Sequence, residues 1–295
     1  GAGLPPRLDG AALMPRDIPV GNGQLLVAFD HHYRIRDLYF PYVGQENHVE
    51  NDICRFGVWG QVPSEDPQAE SESRLFWSDE GWSIDLGYRH RSLVTDVIMH
   101  HPLLGVEIRA TDAVDYQRPL LVRRLEVINH HDQARPLHLF HHHPFHMFGN
   151  RVGNTAYFDP RMRALVHYRN KRYLMATWHA DGDLRIDQYA TGTAGFNGAE
   201  GTWRDAEDGR LGGNPIAQGA VDSTMMLGLN VPAHSATTCY LVLGAGRHLT
   251  DLQTLHRFLH REGPQAVIDH TTAYWRLWLS AARTDVPAPQ KGGPS

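Results

Sequence analysis

Acids, amides and aromatic rings crowd one short stretch of this chain, RDLYFPYVGQENHVEND, from Arg36 to Asp52. Hydrolysis of a glycosidic bond needs two carboxylates facing each other across the substrate. Asp37, Glu46, Glu50 and Asp52 lie close enough in sequence to be considered for such a pair. Acids gathered in one loop more often form salt bridges and turn hydrogen bonds, so the spacing alone assigns no catalytic residue. A second stretch, HLFHHHPFHMFGN, runs from His138 to Asn150. On a strand, His138 and His142 share one face and His141 and His143 the other. His143 and His146 have an H-x-x-H spacing, but Pro144 interrupts regular geometry between them and no second cluster of Cys, His or carboxylate ligands follows. The reading is therefore no metal site and no cofactor, with these histidines exposed or hydrogen-bonded within a sheet. No G-x-S-x-G elbow, P-loop or dinucleotide fingerprint is present.

These groups sit in a chain of 295 residues, 41% hydrophobic and 21% charged, the balance of a folded globular protein. The net charge of −5, with no basic stripe, argues against nucleic acid as a partner. Twenty histidines make that charge rise as pH falls through about 6.5. No apolar run approaches the ~20 residues of a membrane span, and GAGLPPRLDGAALMPRD lacks the pattern of a secretory signal. The expected location is the cytoplasm. Cys54 and Cys239 lie far apart in strand-like runs and read as buried thiols rather than a disulfide framework.

From Gln24 to Gly246 short runs rich in Val, Leu, Ile, Thr and aromatics, many alternating at period two, are separated by turn signals such as HADGD and NVPAHSA. With no helical crossover among them, they predict stacked antiparallel sheets. Val127 to Leu137 reads as a hairpin between two long strands, and Gly192–Pro215 as a long surface loop. After Gly246 the period changes. Thr250 and Gln253 have capping-box spacing, Leu252, Leu255, Phe258 and Leu259 form one face, and Gly263 ends the helix. Pro264 starts a second helix that carries Val267, Ile268, Thr271, Tyr274, Trp275 and Trp278 at spacings of three and four. Helices are expected near 250–262 and 264–282, outside the sandwich. The division that follows is an extension or tag over 1–13 ahead of Met14, a β domain over 14–246, a helical linker over 247–283 and a loose Pro/Gly-rich tail over 284–295.

Met14–Val49, with its GNG and IRDLYFPYVGQENH, and the closing TAYWRLWLS of Thr272–Ser280, resemble in order and spacing the prokaryotic-type glycoside hydrolase family 15, the glucoamylase, glucodextranase and trehalase group. The resemblance covers nearly the whole chain but only the first half of such an enzyme. It implies a mainly β fold, an antiparallel β-supersandwich of galactose mutarotase-like type with a C-terminal helical linker. The expected partner is an (α/α)6 catalytic barrel, in cis or as a separate chain, acting on an α-glucan or trehalose-type sugar. Both catalytic glutamates of that family lie in the barrel, so none is carried over here.

In the family a loop of the β domain reaches the mouth of the barrel, and residues 36–52 are the matching segment. Arg36, Asp37, Tyr39, Tyr42, Gln45, Glu46, Asn47 and His48 combine aromatic faces with bidentate polar groups, the mixture that sugars want. Against that stands the reading that Tyr39, Phe40 and Pro41 are core and the polar residues only fix the turn. A docking face would expose Tyr39, Phe40, Tyr42, Tyr274, Trp275 and Trp278 and allow weak homodimerisation, with Gln45–His48 near solvent. Two other functions compete with the accessory-domain reading. One is a free-standing carbohydrate-binding module. The other is a mutarotase-like sugar epimerase working through a histidine and a carboxylate.

Overall fold

A computed structural model of the chain describes residues 18–194 and 200–284. Strands β1 (Ile18–Gly21), β2 (Leu26–Phe29) and β3 (Ile35–Tyr39) form a small antiparallel sheet of their own. Next come β4 (Arg55–Gln61), β5 (Ser73–Trp77), β6 (Ser83–Tyr88), β7 (Thr95–His101), β8 (Val106–Val114) and β9 (Leu120–Asn129). They are followed by β10 (Arg135–His143), β11 (Asn154–Asp159), β12 (Ala164–Arg169), β13 (Arg172–Ala180), β14 (Asp183–Arg185) and β15 (Gln188–Thr193). The β region closes with β16 (Ile216–Gly219), β17 (Val221–Val231) and β18 (Ala236–Gly246). The larger sheet has the order β16-β11-β12-β13-β18-β9-β8-β7-β6, with β14 on β13, and the smaller β15-β17-β10-β4-β5. All strand pairs among the described residues are antiparallel.

The period-two alternation decides what each sheet turns inward. Leu137 and Leu139 of β10 and Met225 and Leu227 of β17 meet Leu121, Leu125, Ile108 and Leu241 of the larger sheet in the main core. The opposite face of the larger sheet, with Ala113, Val122, Val166 and Val242, is covered by the helices α1 (Leu249–Glu262) and α2 (Pro264–Thr284). Leu252, Leu255, Phe258 and Leu259 of α1 and Val267 and Ile268 of α2 supply the contact, as their spacing predicts. Gly263 ends α1 at φ +76°, a conformation that favours glycine, and its amide donates to the Leu259 carbonyl at 2.9 Å.

Three expectations need correction. The segment Val127–Leu137 is not a hairpin. β9 pairs with β8 and β18, β10 with β4 and β17, and the turn between them carries the chain from one sheet to the other. The connection from β17 to β18 makes the same crossing, and the buried Asn129 amide ties the two arches by donating to the carbonyls of Gln133, Val231 and Pro232. Alternation specifies a strand and its faces but not which neighbour it joins. The start of α1 also differs. The carboxylate of Asp251, not Gln253, accepts the amides of Arg247 and His248, at 2.9 and 3.0 Å. Finally, the described part of Gly192–Pro215 is not only surface. Ala206 is buried and, with Trp203 and Leu211, closes the outer face of the smaller sheet over Leu75, Trp77, Phe140 and Met226.

Candidate functional site

β3 delivers the chain into the loop after Tyr39, and three side chains hold the loop in shape. Asn47 spends its whole amide. Its Oδ1 accepts the N–H groups of Leu38 and Val49, both at 3.1 Å, and its Nδ2 donates to Asp37 at 2.7 Å. His48 is fully buried, which corrects the expectation that it lies near solvent. The Phe148 amide donates to its Nδ1 at 3.1 Å, so the ring proton is on Nε2, which donates to the Phe40 carbonyl at 2.7 Å. Burial pulls the His48 pKa down, and the neutral ring serves as a peg between loop and β10 exit. Glu46 takes the Arg172 guanidinium at both oxygens, at 2.6 and 2.9 Å, and these hydrogen bonds hold its carboxyl below the usual range.

What remains of the loop divides between two recesses that share no lining residue. One, of about 570 Å³, is lined by Arg36, Asp37, Asn47, Glu50 and Asp52. Arg36 pairs with Asp37 at 3.3 Å, and Asp52 meets His146 at 3.2 Å. Burial raises the Asp52 pKa, but the bonds from His146 and the Ile53 amide more than offset it and leave it lowered. The other recess, of about 580 Å³, is lined by Tyr42 together with Gln24, Arg118 and Arg247. Gln45 is exposed and Tyr39 half-buried. Phe40 is 4% exposed and belongs to the core, as the core reading of this segment has it and against the docking-face expectation, and its carbonyl accepts the His48 ring N–H. Of the other aromatics named for a docking face, Tyr42, Tyr274 and Trp278 are exposed and Trp275 partly so. The eight loop residues therefore do not converge on one point.

A buried polar cluster is built around the histidine run of β10, with partners from β12 and β17 that residue spacing does not foretell. His141 and His143 point into the main core, on the same face as Leu137 and Leu139. His141 Nδ1 lies 2.8 Å from His143 Nε2, His143 Nδ1 lies 3.1 Å from Ser223 Oγ, and His167 Nε2 lies 2.7 Å from that same oxygen. Burial lowers all three imidazole pKa values, His167 to about 3. Beside them Asp112 accepts from Arg123 Nε and Thr95 Oγ1, both at 2.7 Å, and from the Tyr33 hydroxyl. Burial and the Asp112 charge hold that phenol protonated, although Arg123 pulls the other way. On the opposite face of β10, His142 meets Asp222 at 2.8 Å, and Asp222 also accepts the amide and hydroxyl of Thr202. The signal for this was present: a period-two strand that turns Leu137 and Leu139 inward must turn His141 and His143 inward too. His143 and His146 of the H-x-x-H spacing make separate contacts. Among the described residues no group of three or more His, Cys, Asp or Glu is placed to hold a metal ion. Cys54 and Cys239 are both buried and free.

No family model and no curated protein matches the sequence. Solved structures do match the fold. A bacterial glucoamylase complexed with acarbose aligns with a TM-score of 0.66 at 13% identity, over 88% of this chain and 35% of that one. A polysaccharide lyase aligns with a TM-score of 0.52 at 11% identity, over 80% of this chain and 34% of its own. A galactose mutarotase related enzyme from Lactobacillus acidophilus gives 0.43 at 9% identity, over 78% and 97%, a likeness on which nothing further rests. The chain thus spans about a third of the length of the first two. The fold is an antiparallel β-sandwich with a C-terminal helix pair, of a kind found in carbohydrate-active enzymes. Among the described residues no helix is long and apolar enough to cross a membrane.

Proposed function

We propose that this chain is the accessory β-sandwich domain of a family 15-type glycoside hydrolase acting on α-glucosides, and that it supports and walls the active site of an (α/α)6 barrel. The observation that carries this is the alignment of 88% of the chain with about a third of a glucoamylase. The loop chemistry agrees with a wall rather than a catalytic centre. Three of the four candidate acids are engaged, Glu46 by Arg172, Asp37 by Asn47 and Arg36, and Asp52 by His146, which leaves the exposed Glu50 without the second free carboxylate a glycosidase pair needs. A general acid or nucleophile of a glycosidase needs a carboxyl free to meet the glycosidic oxygen or the anomeric carbon. The exposed Tyr274, Leu277 and Trp278 of α2 offer an apolar strip of the sort a partner domain covers.

The test is activity. The purified chain should release no glucose from maltooligosaccharides, dextran or trehalose. Release at an enzyme-like rate that is lost in Glu46→Gln would overturn the reading. The reading frame beyond Ser295 tests the partner. A helical barrel encoded there or in a neighbouring gene supports the arrangement, and none in either place removes it.

A further inference from the structure

The recess beside Tyr42 has the makings of a ligand site in its own right. Its volume, about 580 Å³, falls in the range of small-molecule sites. Five separate segments wall it: the loop tip with Pro41 and Tyr42, the β1–β2 turn with Gln24, the β8–β9 turn with Arg118, the end of β18 with Arg247, and the first turns of α1 with Asp251. Pro119, Ala245 and Leu255 give it an apolar floor.

Its charge is set by two guanidinium groups. Arg247 sits over the Tyr42 ring, 5.9 Å from the centroid, with Nη2 3.4 Å from the hydroxyl. The Arg118 guanidinium lies over the Phe258 ring, 3.9 Å from its centroid. Two carboxylates lie nearby, Asp251 on the recess wall and Asp115 paired with Arg118, and both accept backbone amides. Asp251 accepts the amides of Arg247 and His248, and Asp115, which is 3.6 Å from Arg118, accepts those of Gln117 and Arg118. Arg247 is oriented by the Tyr42 ring, and Arg118 by the Phe258 ring and its ion pair with Asp115 through Nη1, so the Arg247 fork and the remaining nitrogens of Arg118 are what an anion would meet. The Tyr42 ring, 49% exposed, offers a stacking face beside them.

We propose that this cleft binds a hexose bearing one anionic group, a phosphate or a carboxylate. The sugar's C–H face lies on Tyr42 and the anion between Arg118 and Arg247. A guanidinium fork matches both anions, so the shared chemistry is the charged oxygen group on a sugar ring. The site does not depend on a catalytic barrel and goes beyond the function proposed above.

The test is calorimetric titration of the 295-residue chain with glucose 6-phosphate, glucuronate, glucose and inorganic phosphate. Saturable binding of either anionic sugar below about 1 mM, roughly tenfold tighter than glucose or phosphate alone, supports the proposal. The better of the two anionic sugars identifies the anion. Tyr42→Ala and Arg247→Gln, both at exposed positions, should each weaken binding about tenfold with the circular dichroism spectrum unchanged, and Trp278→Ala should leave it intact. Glucose binding as tightly as its phosphate overturns the proposal and leaves the α-glucoside reading standing. Phosphate binding as tightly as the sugar phosphate, no binding by any probe, or binding unaltered in both variants also overturns it.

Discussion

The loop of residues 36–52 and the histidine run of β10 carry similar side chains, imidazoles and aromatics with acids close by, and meet opposite fates. In the loop, Asn47 accepts the Leu38 amide, His48 the Phe148 amide and Glu46 the Arg172 guanidinium, and other polar groups stay on the rim of two recesses. On β10 the alternation leaves no choice. His141 and His143 follow Leu137 and Leu139 into the core and are satisfied by Ser223 and each other. Polarity alone does not tell a site from a scaffold. What separates them is whether the backbone periodicity forces the group inward, and whether a partner there completes its hydrogen bonds.

The largest consequence is acid sensitivity. His48, His141, His143 and His167 have folded pKa values depressed by burial below the ordinary 6.5. Above that value they are neutral folded and unfolded, and stability is undiminished. Below it the unfolded chain takes up protons that the folded chain refuses. Each group then withdraws up to about 1.4 kcal/mol per pH unit until its folded pKa is reached, about 3 for His167. The urea unfolding free energy should fall between pH of about 7.5 and 5.5, with His167 alone contributing about 1.4 kcal/mol of the loss. His167→Gln cannot titrate and should flatten the slope by one group's share. A profile level to within about 1 kcal/mol would show that the buried imidazoles, in loop and core alike, do not resist protonation.

The next effects belong to the pegs of the loop itself. His48→Ala opens a cavity and strands both the Phe40 carbonyl and the Phe148 amide, a loss of about 3 kcal/mol in chemical denaturation. Glu46→Gln keeps the shape but removes the charge from a partly exposed pair, and should cost about 1 kcal/mol. The Glu46 pKa is lowered by Arg172. That stabilisation is therefore full above the ordinary carboxyl value of 4.5 and fades as pH falls through the folded value. If His48→Ala cost less than Glu46→Gln, the loop would be held by its surface pair rather than by its buried ring.

Much of this architecture was legible from residue types. The stacked antiparallel sheets follow from alternation bounded by turns, and both helices from their apolar spacing with Gly263 and Pro264 between them. What was hidden concerns partners. Nothing local in Asn129–Arg135 says that β9 and β10 belong to different sheets, because the tie is made by Asn129 to carbonyls about a hundred residues on. Nothing local in GQENHV says that His48 turns inward, because its hydrogen-bond donor is the Phe148 amide, a hundred residues away. The pairing of His141 with His143 on one face of β10, and their hydrogen bonding within the sheet, were legible; that this face is the core follows only when Leu137 and Leu139 are read along with them.

The smallest effect sharpens the comparison most. Gln45 and Tyr42 are both exposed, and the Tyr42 hydroxyl is approached by the exposed Arg247 at 3.4 Å. Gln45→Ala and Tyr42→Ala should change unfolding free energy by less than about 0.5 kcal/mol, as exposed positions do. His48→Ala, three residues from Gln45, should cost several times more. Stability and ligand recognition would then be carried by different residues of one short loop: the inward ring and paired acid fix its path, and the rim residues are left free to meet a sugar. Tyr42→Ala separates the two roles in a single variant, since it should leave the denaturation midpoint in place while weakening an anionic sugar about tenfold. A midpoint shift as large as that of His48→Ala would show that Tyr42 holds the loop together, and the division between peg and rim would not stand.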